Sequence, residues 1–351
     1  MMKEGIINLL KPAGMTSHDG VQLLRRLTGV KRIGHTGTLD PMAVGVLPLC
    51  IGNATRITEY LDLDYKKYRC EMQLGLETDT QDVWGTVICN GMNDIKNIDE
   101  NSILKALDSF KGTITQLPPN YSAVKVNGKR LYEYARQGQS VEVKPRKVEI
   151  KNITIISIDL DKGRVTFDVE CSKGTYIRTI CQDTGKILGC GAVMSCLIRT
   201  ASGRFTLEDT VTIEELLALR TGEDIRDEKT GRYLEYARVS EDKLEQYLFE
   251  PDYPLVHFGR ALVNEERGKW FINGGHLNMS EVRIEKEPEY KDASSILDIR
   301  EEYKRAYNIY LEQPNQKNKK SILFLGVAFY NTNYKKLVAG KVFLSNNKCD
   351  F

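Results

Sequence analysis

One twelve-residue stretch constrains this chain more than any other: Gly34-His35-Thr36-Gly37-Thr38-Leu39-Asp40-Pro41-Met42-Ala43-Val44-Gly45. Its three glycines permit turns that residues with a Cβ resist. Pro41 fixes its own φ and biases Asp40 toward an extended conformation. A carboxylate, an imidazole and two threonine hydroxyls are thus crowded onto one short loop, with Leu39, Met42, Val44, Val46 and Leu47 around them. A carboxylate among apolar neighbours needs a partner charge. Asp, Pro and Gly are also the common turn residues, so the segment taken alone reads as a structural turn. It is not a phosphate loop, because no Gly-Lys-Ser/Thr follows.

At 351 residues the chain can bury a full core and is expected to form two domains. The net charge of +2 does not by itself imply a polyanionic partner. The distribution says more. Residues 111–151 carry nine Lys/Arg against three Asp/Glu, and residues 201–250 carry seven against thirteen. Such a patchy field either docks a polyanion on one face or is simply a set of solvated faces. The eight cysteines are dispersed without a Cys-x-x-Cys, and there are only four histidines, so no zinc constellation is readable and no metal is expected. Dispersed cysteines fit reduced thiols in a cytosol. The opening Met-Met-Lys-Glu-Gly-Ile-Ile-Asn has no apolar signal core, and no apolar run approaches a bilayer span. A cytoplasmic protein without membrane contact is expected.

Along the chain, residues 5–10 read as a short buried strand and Lys11-Pro12-Ala13-Gly14 as a turn. Thr16 or Ser17 can cap a helix to about Thr28, stopped by Gly29. Asn53 can cap a second helix through Leu61. In 65–75, Tyr68, Cys70, Met72 and Leu74 alternate with Lys67, Arg69, Glu71 and Gln73, which predicts a strand with Tyr68 facing inward. Residues 77–86 read as a polar loop and 99–110 as a surface helix. The basic stretch interleaves Tyr121, Tyr132 and Tyr134 with Lys125, Lys129, Arg130 and Arg136, a composition that can grip phosphates and stack bases. Residues 148–160 and 163–171 predict a strand pair, 175–188 a helix stopped by Gly189, and 195–200 a strand with Leu197 inward. Arg178 would sit in that helix's first turn, where it is either an ordinary surface arginine or the partner of a buried carboxylate. Residues 221–249 read as an acidic connector with a helix near 240–248. Ala261-Leu262-Val263, the Asn273-Gly274-Gly275 turn, 322–330 and 337–343 suggest short strands, and the charged 283–320 reads as an insertion, part helical and part mobile.

The Gly-His-Thr-Gly-Thr-Leu-Asp-Pro run, with Lys11-Pro12-Ala13-Gly14-Met15-Thr16-Ser17 before it, resembles the opening motifs of the TruB family of tRNA pseudouridine synthases. Further matches follow in order: Lys67-Tyr68-Arg69, Tyr121-Ser122-Ala123-Val124-Lys125, Leu131–Gly138, Cys171–Arg178 and Leu197-Ile198-Arg199-Thr200. The resemblance spans about residues 4–220. It implies an α/β (α+β) catalytic fold on a mixed, largely antiparallel sheet flanked by helices, taken as residues 1–240. A small PUA-like β-barrel would follow over 250–351, carrying the 283–320 insertion.

The same resemblance makes Asp40 the catalytic aspartate. Tyr68 would stack on the target base and act in the C5 proton transfer. Arg178 would pair with Asp40. Tyr176 and Leu197 would wall the pocket, Lys11 and Pro12 would support the loop, and His35 would wedge open the T loop around an extruded base. Lys125, Lys129 and Arg130 are expected on the tRNA backbone. Attack at C1′ of ribose and at C6 of uracil are both compatible with an ionised carboxylate. The isomerisation breaks the N-glycosidic bond, turns the base and rejoins it through C5, which requires no cofactor. The expectation is a monomeric enzyme forming pseudouridine at position 55 in the T arm of tRNA, without an obligatory protein partner or guide RNA. A guide-dependent synthase acting on ribosomal RNA and a non-catalytic RNA-folding protein are the alternatives.

Overall fold

The computed structural model describes residues 4–63, 65–91, 94–226, 230, 233–290, 300–313 and 321–343. Strand β1 (Gly5–Lys11) is buried except at Leu10, as expected for the apolar Gly-Ile-Ile-Asn-Leu-Leu run. Helix α1 (Ser17–Thr28) follows, with Val21, Leu24 and Leu27 inward. Thr16 and Asp19 cap each other's backbone at its start, and Gly29 ends it in the left-handed region at φ 71°. Strands β2 (Ile33–His35) and β3 (Val44–Ile51) flank the Asp40 loop. The segment after β3 is a 3-10 helix over Gly52–Leu63, kinked at Leu61, where an ordinary helix from Asn53 was expected.

Strand β4 (Lys66–Leu74) shows the predicted alternation, with Tyr68, Cys70, Met72 and Leu74 buried. The polar 77–86 segment is the connection of a hairpin, β5 (Leu76–Thr78) with β6 (Val87–Asn90). Helix α2 (Glu100–Asp108) is capped by Asp99 and leads to β7 (Gly112–Gln116). The basic stretch then forms a two-residue ladder, β8 (Lys125–Val126) with β9 (Lys129–Arg130), and the short helix α3 (Leu131–Arg136). Strands β10 (Arg146–Asp159) and β11 (Arg164–Cys171) form the predicted pair. Helix α4 (Ile177–Leu188) begins two residues later than 175, because Tyr176 is its N-cap. Strands β12 (Ala192–Ser202) and β13 (Phe205–Thr206) and helix α5 (Ile213–Ala218) complete this part.

These strands form a ten-stranded sheet ordered Leu248–Phe249, β1, β3, β12, β4, β11, β10, β7, with β2 also on β3 and β13 also on β12. Every pairing is antiparallel except β3 with β12. That parallel contact sets Gly45 beside Arg199, and the neighbouring pairing sets Tyr68 beside Arg199. The Asp40 loop therefore opens over the middle of the sheet.

A second sheet of six strands lies further along the chain. Its order is Leu277–Asn278, Lys336–Val342, Ser321–Asn331, Ala306–Gln313, Gly259–Val263, Arg283–Lys286. The reading of 283–320 as a charged insertion is corrected here. Arg283–Lys286 is an edge strand and Ala306–Gln313 an inner one, buried from Ala306 through Leu311. A strand covered on both faces loses the polar alternation that reveals strands in sequence. Residues 291–299 and 314–320 lie outside the described residues. Among the described residues of this segment, the helical expectation is met by a short 3-10 turn, Glu301–Arg305.

Candidate active site

The Asp40 loop is held from three sides. Ser17, the first residue of α1, accepts from the Leu39 N–H through its Oγ at 2.8 Å and donates back to the Leu39 carbonyl at 3.1 Å. Lys11, fully buried at the end of β1, donates through Nζ to the carbonyls of Pro12 (2.8 Å), Met15 (2.7 Å) and Pro41 (3.3 Å). Burial lowers the Lys11 pKa to about 8, with the charge of Asp40 working the other way. Arg199, also fully buried, donates to the carbonyls of Val46 (2.7 Å), Thr38 (3.2 Å) and Gly37 (3.3 Å). Two cations under one loop thus supply donors to its Gly37, Thr38 and Pro41 carbonyls.

Gly45 is where the loop meets the sheet. Its φ is 112°, and a Cβ there would stand 2.3 Å from the Arg199 carbonyl oxygen. Only glycine lets β3 and β12 approach at this point.

Opposite the loop, the N-terminus of α4 brings in Arg178. Its Nε stands 3.0 Å from Asp40 Oδ2, and its Nη1 lies 3.8 Å from Asp82 Oδ2. Nη1 and Nη2 also donate to the carbonyls of Thr80 (3.0 Å) and Tyr121 (2.9 Å). The guanidinium is 5% exposed, whereas the Asp40 side chain is 34% exposed. Asp40 is thus tethered on one side and open to the cleft on the other. Asp82 is buried, and burial raises its pKa against the pull of Thr80 and Arg178. Just before the helix, the Gln116 side chain accepts from the Tyr176 N–H (3.0 Å) and donates to its carbonyl (3.2 Å), setting the tyrosine's backbone at the N-cap.

A cleft of about 290 Å³ brings Asp40, Tyr68, Tyr176, Arg178 and Leu197 together. That volume is at the small end of ligand pockets. Burial pushes the Tyr68 hydroxyl up to about 12, while the neighbouring Arg199 guanidinium opposes the rise. At neutral pH it is a phenol.

The other residues singled out from the sequence lie around the cleft rather than in it. Neither Lys11 nor Pro12 lines the cleft: Lys11 is fully buried at the end of β1 and Pro12 is exposed in the turn after it. His35 ends β2 next to Thr36 of the cleft wall, its Nδ1 buried without a hydrogen-bond partner and its pKa lowered by burial first, then by Arg199, His18 and Arg130. Lys125, Lys129 and Arg130 are exposed on the β8–β9 ladder, which the cleft residues Ser122 and Ala123 precede. Arg130 and Arg136 both lie over the Tyr132 ring, at 5.8 and 5.4 Å, so that tyrosine packs against cations as expected of a helix residue.

Arg199, Asp82 and Lys66 were not picked out as site residues. Lys66 lines the cleft from the start of β4. For Arg199 a signal was there: an arginine in the middle of an apolar strand is costly to bury unless it has work to do. Among the described residues no group of three or more His, Cys, Asp or Glu is arranged to hold a metal, and no helix is long and apolar enough to cross a membrane.

The cleft thus holds one half-exposed, tethered carboxylate beside a tyrosine from which solvent is excluded. The family model described as TruB family pseudouridylate synthase (N terminal domain) matches residues 25–177. That described as tRNA pseudouridylate synthase B C-terminal domain matches residues 178–250. The chain is 47% identical over 273 residues to tRNA pseudouridine synthase B of Alkaliphilus oremlandii, covering 78% of this chain and 82% of that one. It is 46% identical over 275 residues to the protein of the same name from Clostridioides difficile, covering 78% and 84%. Among solved structures, the fold is similar to a chain of a Cbf5-Nop10-Gar1 complex at TM-score 0.66 and 23% identity, covering 98% of this chain and 86% of that one. The family models and relatives define a pseudouridine synthase, an isomerase. Within that class, the chain belongs to the TruB family.

Proposed function

We propose that this enzyme converts uridine to pseudouridine at position 55 in the T arm of tRNA, alone and as a monomer, in the cytoplasm. The relatives' shared name supports tRNA as the substrate. The observation that carries the chemical reading is the Asp40–Arg178 pair, because it presents an oriented carboxylate to a cleft that Tyr68 and Leu197 also line. Residues 1–240 are taken as the catalytic unit and 250–351 as a further RNA-binding unit.

In this reading the target uridine is turned out of its stack into the cleft, where Tyr68 lies against the base and Tyr176 and Leu197 close round it. Asp40 attacks carbon, or stabilises the positive charge that develops on the sugar as the glycosidic bond breaks. Arg178 holds the carboxylate in place, and Asp82 holds Arg178. The closed walls keep the freed base from escaping while it turns. Tyr68 relays the C5 proton: its hydroxyl passes its own proton to water as it takes the one from C5, so it enters and leaves the step as a phenol, and Arg199 beside it steadies the negative charge that builds on its oxygen. His35, at the end of β2, fills the gap the extruded base leaves. Lys11 and Pro12 keep the loop in register. Lys125, Lys129 and Arg130 meet the RNA backbone.

The test is release of tritium from C5-labelled uridine in a T-arm transcript by the purified protein, with Asp40→Asn beside it. Release by the wild type alone is expected. No release despite tight RNA binding would point to a guided or non-catalytic protein. Equal release from both would place the chemistry on another residue.

A further inference from the structure

The 3-10 segment Gly52–Leu63 is two helical pieces joined across a kink at Leu61, and 3-10 turns have poorer hydrogen-bond geometry than an α-helix. Its stability must come from what packs on it. On one side, Thr58 and Leu61 line the cleft with Asp40 and Tyr68. On the other, Ala54, Ile57 and Tyr60 are buried in one cluster with Phe258 and Tyr303 from the second part of the chain. Leu61, at the kink (φ −89°, ψ 16°), belongs to both the cleft wall and that cluster.

The contacts across this seam are specific. The Tyr60 ring meets Phe258 and Tyr303 edge-on, with centroids 5.6 and 5.7 Å apart. Edge-on aromatic pairs add directional stability beyond the area they bury. The Tyr303 hydroxyl donates to the Glu59 carbonyl at 2.8 Å, which fills a backbone acceptor that the 3-10 segment exposes. Lys341 Nζ pairs with Glu59 Oε1 at 3.0 Å, and Arg56 donates to the Val342 carbonyl at 2.7 Å. Tyr303 itself sits in the turn that leads into the inner strand Ala306–Gln313, so it is tied to the centre of the second sheet.

We infer that Tyr303 is a positioning residue for the isomerisation: through Tyr60 and Glu59 it fixes the Thr58–Leu61 wall of the cleft. The second sheet thereby sets the geometry of the catalytic cleft as well as any contact it makes with RNA. This rests on the reading that the cleft holds the target uridine. A wall free to move by an ångström loosens the hold on the base when it must turn, so the loss falls on turnover rather than on binding.

The experiment uses the full-length chain and a T-arm stem-loop, with tritium release giving kcat and KM for wild type, Tyr303→Ala, Tyr303→Phe and Leu277→Ala. Leu277 is buried in the second sheet's own core, in a cluster that contains no residue of the 3-10 helix, and controls for loss of stability alone. All are assayed below their melting temperatures. Tyr303→Ala is expected to lower kcat about tenfold with little change in KM, since small misplacements far from the chemistry carry penalties of that order or more. Tyr303→Phe, which keeps the ring, should recover most of it, and Leu277→Ala should keep the wild-type kcat. If Tyr303→Ala does not fold, Tyr303→Leu carries the same comparison. An unchanged kcat in folded Tyr303→Ala or Tyr303→Leu, or an equal fall in Leu277→Ala, overturns the inference. Failure of the wild type to release tritium would instead overturn the functional reading, and this inference with it.

Discussion

Arg178 Nε stands 3.0 Å from Asp40 Oδ2, and the guanidinium's remaining nitrogens are committed to the Thr80 and Tyr121 carbonyls and to Asp82. One buried cation therefore joins the reactive loop to the 77–86 connection and to the segment that runs from Tyr121 into the cleft residues Ser122 and Ala123. Lysine cannot replace this fork, because a single ammonium does not reach four partners on fixed bearings. Arg178→Lys should cost about 100-fold in kcat, the order expected when a reacting group is misplaced by an ångström. Stability should fall by about 1–3 kcal/mol, as carbonyls lose their donor inside the protein. Tritium release and urea melts measure the two separately. A variant with wild-type kcat would remove Arg178 from the mechanism.

Tyr68 separates ring from hydroxyl. Tyr68→Phe keeps the ring against the base and removes the group placed for the C5 proton. It should bind the stem-loop normally and lose at least about 100-fold in rate, the low end of what a positioned acid or base contributes. Because burial pushes this hydroxyl up to about 12, it stays protonated in the folded enzyme through the neutral and mildly alkaline range. The wild-type rate should therefore show no alkaline change due to Tyr68 between pH 7 and 9, read as a pH profile of kcat.

Gly45→Ala tests the seam between β3 and β12. A methyl group there meets the Arg199 carbonyl at 2.3 Å, and the φ of 112° is one that alanine resists. A loss of about 2–4 kcal/mol is expected from backbone strain together with the displaced pairing. Arg199 would be drawn away from Gly37 and Thr38, so activity should fall even at temperatures where the variant is folded. A melting temperature within error of wild type would contradict the geometry.

Alkaline stability follows from buried thiols. Burial pushes Cys50 and Cys171 from the ordinary 9.0 up to about 12. A group raised in the folded state contributes stability that is complete below its unfolded value and lost as pH climbs toward the folded one. Lys11, lowered to about 8 from 10.5, works in the opposite direction and gains stability over that window. Two groups outweigh one, so the melting temperature should drop between pH 9 and 11. Cys50→Ala should flatten that drop, measured by calorimetry across the range.

Much of this site was legible because it is written locally. Asp40 and its loop form one uninterrupted motif, Tyr68 sits in an alternating strand, and Arg178 falls in the first turn of a helix that Gly189 ends. What was not legible is made by register. Arg199 matters because β12 runs parallel to β3 and antiparallel to β4, which puts it between Gly45 and Tyr68. No pattern within residues 192–202 encodes either neighbour. Asp82 looked like one more polar residue of a loop, and only the fold brings Arg178 to it. The inner strand Ala306–Gln313 was hidden by charged flanks and by being buried on both faces. Gly52–Leu63 was read as an ordinary helix because helical periodicity does not register the tighter 3-10 winding that packing against Tyr303 and Phe258 sustains.

The β8–β9 ladder offers a prediction about the partner rather than the chemistry. Lys125, Lys129 and Arg130 are exposed, and Arg130 is close enough for its charge to oppose protonation of His35. If these three cations neutralise RNA phosphates, each contributes about 0.7–0.9 to the slope of log affinity against log salt. Replacing all three with glutamate should weaken binding of the T-arm stem-loop and flatten the slope by about 2. It should leave the melting temperature nearly unchanged, since exposed substitutions away from the core cost within about 0.5 kcal/mol. Binding curves at several salt concentrations measure the slope directly. Weaker binding with an unchanged slope would mean the ladder acts through shape and not charge, and an unchanged affinity would take this surface out of the interface.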